Sequence, residues 1–259
     1  MHLSQKLIRY LVLASLGIIA ISCTATSPNI NIGGIPLDKN YPFQEQVLSY
    51  IEGDSLLTAE ACYYWPRNTG DTTHYGTTKP IDYMGARISD VWDNNGTHCV
   101  GITWQLVMGV LQDWAVTQDS SGQILDMTPE DIREFADMWF VQLEKGSDLS
   151  TLAVPVEMGS TYALSSYGLG YRVPMKEARP GDFVQFWRAK GSGHSCIFLH
   201  WINDGRGKII GFKYWSSQPQ TKGLGMDTEY FVVQDAYEAD KVVDKNRFYV
   251  GRLMPIRSN

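Results

Sequence analysis

Two neighbouring runs decide how the chain folds: Asp182-Phe183-Val184-Gln185-Phe186-Trp187, then, after a turn from Arg188 to Gly193, His194-Ser195-Cys196-Ile197-Phe198-Leu199-His200-Trp201-Ile202. Both are rich in aromatic and β-branched residues and are bounded by turn residues, which is the pattern of paired strands. Further on, Asn203 to Gly207 is a turn, Lys208 to Ser216 a third strand, and Tyr230–Gln234 and Phe248–Met254 two more. Toward the N-terminus the period changes to helical. Phe43 to Leu57 carries Val47, Leu48 and Ile51 on one stripe, and a second helix begins at Cys99. A third runs from Thr128 to Lys145, with Thr128 as cap, Pro129 at the first helical position and acids in the first turn. Residues 147 to 180 read as a loop holding one short helix. Helices first and strands after predict an α+β architecture, with helices packed on one antiparallel sheet of about five strands. A chain of 259 residues, 44% of them hydrophobic, can bury that core as one domain.

The second helix opens on Asn94-Asn95-Gly96-Thr97-His98-Cys99-Val100-Gly101-Ile102-Thr103-Trp104. A turn leads into an apolar segment of helical period, and Thr97 is the expected N-cap. Cys99 then lies in the first turn, where free N–H groups and the helix dipole favour thiolate over thiol. A lowered pKa, and a reactive nucleophile, is the expectation. The stretch from 62 to 96 is rich in Gly, Thr, Pro and Asn with interspersed aromatics, and suits the wall of a cleft or a surface loop pinned by those rings.

His194 opens its strand directly after a turn. Folding the next hairpin about Gly205-Arg206 places it opposite Ser217, with Ser216 and Gln218 adjacent. A polar neighbour fixes the tautomer of a catalytic imidazole, so Cys99, His194 and an orienting residue form a candidate cysteine-nucleophile site. Gln218 is preferred as orienter, because its amide oxygen accepts from an imidazole N–H. His98, Cys99, His194 and Cys196 offer a Cys₂His₂ zinc set, but adjacent residues on a helix point apart, so no metal is expected.

Residues 1–22 are of another kind. Lys6 and Arg9 precede an apolar run from Tyr10 to Ile21 that ends at Ser22-Cys23, the layout of an export signal. Ala20-Ile21-Ser22-Cys23 resembles a bacterial lipobox, which implies lipidation of Cys23. Residues 23–40 then read as a tether and 41–259 as the folded domain. Loss of Lys6 and Arg9 takes the net charge from −6 to −8, and no basic cluster offers a nucleic-acid site. The expected location is the cell envelope, with the membrane reached only through the lipid, and the expected state is a monomer. Among the remaining cysteines, Cys62 and Cys196 either pair or stay separately buried.

With those residues in view, the chain resembles the NlpC/P60 and CHAP papain-like cysteine peptidases. The resemblance rests on Cys99 at a helix start, Pro180-Gly181-Asp182-Phe183-Val184 and Gly193-His194. It implies a papain-like fold in which Cys99 attacks an amide carbonyl and His194 acts as general base and acid, without a cofactor. Tyr83, His98 and Ser217 become candidate oxyanion or substrate-binding positions. Family members mostly cut cell-wall peptides, which makes peptidoglycan stem peptides the implied substrate. The nucleophile motif departs from the family's usual Asp-Cys-Ser-Gly, reading His98-Cys99-Val100-Gly101. An alternative is an inactive lipoprotein of the same shape that binds a cell-envelope peptide or protein.

Overall fold

The computed structural model describes residues 35–53, 61–65, 74–141, 156–232 and 242–255. The export segment, the Cys23 lipidation and the first part of the tether lie outside the described residues. So do the last residues expected of the first and third helices. The described residues form four α-helices: α1 Gln44–Glu52, α2 Cys99–Gln118, α3 Pro129–Trp139 and α4 Ser160–Ser166. The strands are β1 Cys62–Tyr63, β2 Ile81–Tyr83, β3 Ala86–Ser89, β4 Gly96–Thr97, β5 Gly170–Val173, β6 Phe183–Arg188, β7 Gly193–Asn203, β8 Ile209–Gln218, β9 Gly223–Tyr230 and β10 Val243–Leu253.

The papain-like sheet of about five antiparallel strands is not what forms. One eight-stranded sheet runs in the order β4-β1-β9-β8-β7-β6-β10-β5, and a separate hairpin joins β2 to β3. The large sheet is mixed, because β1 and β4 pair in parallel. The physical reason lies in the added strands. With two residues each, β1 and β4 are too short to show any period. Strand β5 occupies a stretch that reads as loop because glycines flank it. The fourth expected strand, at 230–234, is displaced: β9 is Gly223–Tyr230, and Gly223 and Gly225 break its apolar pattern.

α2 sits at the centre of the molecule. Every residue from Cys99 to Met108 is buried, as expected for a helix that is apolar all round. Alternation along the strands makes two cores. Phe183, Ile197 and Trp215 face α2 and α3 in the larger one. Phe186, Cys196, Phe212 and Tyr214 form a second cluster on the opposite face. α3 keeps its expected start: Thr128 accepts from the Asp131 N–H, and the Asp131 carboxylate accepts from the Thr128 N–H.

The Gly181-Asp182 pair has a structural use. Arg252 on β10 grips Asp182 through Nε at 2.8 Å and Nη2 at 2.7 Å, and the Arg179 N–H donates to the same carboxylate at 2.7 Å. Tyr41 Oη donates to Gly181 O at 2.9 Å, and Gln44 Nε2 donates to Pro180 O at 2.9 Å. Asp38 pairs with Arg179. The clamp therefore ties the end of the tether and α1 to the sheet, so the tether's last residues are docked against the domain. Cys62 is disulfide-bonded, whereas Cys99 and Cys196 are free thiols. A Cys62–Cys196 bridge is thus not made. Among the described residues, no helix is long and apolar enough to cross a membrane.

Candidate active site

The site begins where β4 turns into α2. The helix N-cap is His98, not Thr97: its backbone is extended, and its Nδ1 accepts the Gly101 N–H at 3.2 Å. Thr97 instead donates through Oγ1 to Gly76 O at 2.7 Å. The 75–76 backbone runs so close to the helix that a Cβ on Gly101 would stand 2.0 Å from Tyr75 O. His98 is held edge-on by Trp65 and Phe140, and burial pushes its pKa down to about 3. It is a neutral cap in an aromatic cage, with Nδ1 committed to the helix start.

Cys99 follows with 7% of its surface exposed. Its sulfur is approached by the backbone N–H groups of Ser195, Val100 and Cys99 itself, which together with the Arg188 charge favour thiolate. Burial outweighs them and raises the pKa above that of a free thiol. The lowered value expected from the helix dipole is therefore reversed. Beneath the thiol, Thr103 Oγ1 meets the carbonyl oxygens of Cys99 and Val100 at 3.0 Å each. It also lies 3.0 Å from Ser195 Oγ and accepts the Trp139 indole N–H at 3.2 Å. Through Trp139, α3 braces the floor of the site.

His194 begins β7 with 6% of its surface exposed. It pairs with Phe186 across the strand, and its ring stands edge-on to Phe186 and Tyr214, on the sheet face opposite α2. Burial, helped by the positive charge of Arg188, lowers its pKa to about 3 against a small opposing pull from Gln218. Neither His194 Nε2 nor Gln218 Oε1 makes a well-formed hydrogen bond, and none joins the imidazole to Cys99 Sγ. Both residues nevertheless line one cleft of about 590 Å³, together with Gln185, Gln218, Trp65 and Trp187.

The β7–β8 ladder slips twice, between Phe198 and His200 and between Ile202 and Asn203. Extended from the Ile197–Trp215 pair, its register brings His194 opposite Gln218 and Ser195 opposite Ser217. Ser217 Oγ is spent on Thr97 O at 3.2 Å, and Ser216 Oγ on Ser195 O at 2.7 Å. Ser217 is thus a tie between β8 and the residues that lead into α2. Tyr83 is likewise structural. Its hydroxyl donates to Met127 O at 2.9 Å and accepts the Ile124 N–H at 2.9 Å, pinning that loop away from the cleft.

Gln185 was not among the expected site residues, although it is the one polar residue within Phe183–Trp187. It is 3% exposed, and its Oε1 has no partner. Among the described residues, no three His, Cys, Asp or Glu side chains come together to hold a metal ion. Cys196 packs into the second cluster, away from α2, so the four residues of the zinc set do not assemble. No family model, curated protein or solved structure matches this chain.

Proposed function

We propose that the chain is an exported cysteine hydrolase that cleaves amide bonds in peptidoglycan stem peptides, with Cys99 as nucleophile and His194 as proton carrier. The observation that carries this reading is the shared cleft: a free thiol at a helix start, ringed by backbone N–H groups, lines the same cleft as the His194 imidazole, which Gln218 adjoins.

The pKa directions define the resting state as neutral thiol and neutral imidazole rather than a thiolate–imidazolium pair. Cys99 and His194 stand on opposite faces of the sheet, so the thiol's proton reaches His194 through water in the shared cleft rather than by direct contact. The sulfur then attacks the amide carbonyl, and N–H groups at the start of α2 hold the oxyanion. The imidazolium protonates the departing amine, which leaves as the C–N bond breaks. Water, deprotonated by His194, cleaves the thioester and frees the acid and the thiol. Export by the signal in residues 1–22 would place this chemistry at the cell envelope.

The test is release of free amines from purified stem peptides by the full-length chain, beside iodoacetamide labelling of each cysteine across pH. Amine release that disappears in Cys99→Ala, with Cys99 labelling that climbs only at alkaline pH, is the expected result. No release from any stem peptide, with Cys99 inert even at high pH, would sink the hydrolase and leave the peptide-binding lipoprotein.

A further inference from the structure

Three of the described side chains that line the cleft bury a polar atom with no well-formed hydrogen bond, Gln185 Oε1, His194 Nε2 and Gln218 Oε1, and of these His194 and Gln218 adjoin each other while Gln185 Oε1 has no such neighbour. An unmet buried polar group costs about 1–3 kcal/mol, so native folds seldom leave several together without a ligand to meet them. Of the three, Gln185 stands on the thiol's side of the sheet. It pairs across β6–β7 with Ser195, whose N–H meets Cys99 Sγ and whose hydroxyl faces Thr103 on α2. His194 and Gln218 belong to the other face.

Two glycines leave room for the Gln185 carboxamide. A Cβ on Gly159, which has φ +46°, would lie 3.1 Å from Gln185 Oε1, and one on Gly193 would lie 3.2 Å from Nε2. The Gly193 Cβ would also meet the Trp187 ring at 3.0 Å. Gly193 of the Gly-His pair thus keeps room for a carboxamide and an indole beside the thiol. The carboxamide is confined while its buried acceptor has no partner within the fold, which is how a recognition group is built.

We infer that Gln185 is a substrate-binding residue: its Oε1 accepts one backbone N–H of a bound peptide, with the neighbouring residue lying against Trp187. The choice of a peptide over another N–H donor rests on the hydrolase reading. No bond is made or broken at Gln185.

The experiment uses the full-length Cys99→Ala chain, so that nothing turns over. It measures binding of N-acetyl-trialanine amide and of its ester analogues, each with one N–H replaced by oxygen, by tryptophan fluorescence. One analogue should bind about tenfold more weakly than the amide, the loss expected for one hydrogen bond to a buried neutral acceptor. Adding Gln185→Met should bring that analogue and the amide within about twofold. Gln185→Glu, which keeps an acceptor, should retain the preference. An undiminished preference in Gln185→Met, equal binding of all analogues by the parent, or no peptide binding would each overturn the inference. Cys99 labelling is scored separately in the native chain, so an inert thiol beside a discriminating Gln185 fails the hydrolase reading alone.

Discussion

Two buried polar centres lie on strands that enter the chain next to each other, and they are built in opposite ways. At the start of β6, Asp182 is fully buried and every bond is made: two from Arg252 and one from the Arg179 backbone. At the cleft beside Cys99, Gln185, His194 and Gln218 are nearly as buried, yet each leaves a polar atom unmet. The first cluster is closed on itself and holds α1 and β10 to the sheet. The second is left without well-formed partners among the described residues. Gly181-Asp182 and Gly193-His194 look alike as motifs, but only the second leads to the cleft.

Mutations that exchange the fates of the two centres test that contrast. The largest effect belongs to the cleft's chemistry. Cys99→Ala should lower amide hydrolysis by at least about 10³-fold while the far-UV spectrum and melting point stay near wild type. Next comes the clamp. Asp182→Ala leaves Arg252 buried without its partner and should cost about 3–5 kcal/mol, read from a denaturant midpoint. Gln185→Met should do the reverse, leaving stability unchanged or raising it by about 1 kcal/mol, because it removes an acceptor that nothing satisfies. A loss as large as that of Asp182→Ala would show that Gln185 is bonded within the fold and end the contrast.

The pH dependence of stability sharpens it further. His98 and His194 are held neutral, with pKa values down to about 3. The unfolded chain therefore binds more protons than the native chain from about pH 6.5 down to about 3. Their stabilisation is complete above about pH 6.5 and is lost as pH falls toward 3, with a slope of up to about 1.4 kcal/mol per pH unit for each. His98→Asn keeps an N-cap acceptor and should roughly halve that slope in acid-titrated urea melts; an unchanged slope would mean other groups govern it. The smallest effect is that of Cys196→Ala, whose side chain only fills space on the far face. It should cost about 1 kcal/mol and leave turnover intact. Loss of turnover in a well-folded Cys196→Ala protein would mark it as the working thiol.

Much of this was legible in the residues, and what was not has identifiable causes. The start of α3 was written in Thr128, Pro129 and Asp131, since capping is a matter of a few adjacent side chains. The sheet's full extent was not, because β1 and β4 acquire their strand character only from the partners beside them. Choosing Gln218 over Ser217 depended on one residue of register. Two irregularities in β7–β8 shifted that register by amounts that no hairpin count supplies. Gln185 gave one signal, a polar residue inside an apolar strand, and such a residue can equally be satisfied by the fold.

The sequence by itself determined that Cys99 starts a buried helix and that His194 starts a strand after a Gly-rich turn. Both follow from local pattern: where an apolar period begins and where glycine interrupts it. Tertiary structure decided what those residues can do. Desolvation scales with everything packed around a group, and it raises the thiol against the pull of the helix start and strips the imidazole of charge. Hydrogen-bond satisfaction depends equally on distant partners. It gave Tyr83, His98 and Ser217 partners within the fold and left the buried Gln185 Oε1 without one.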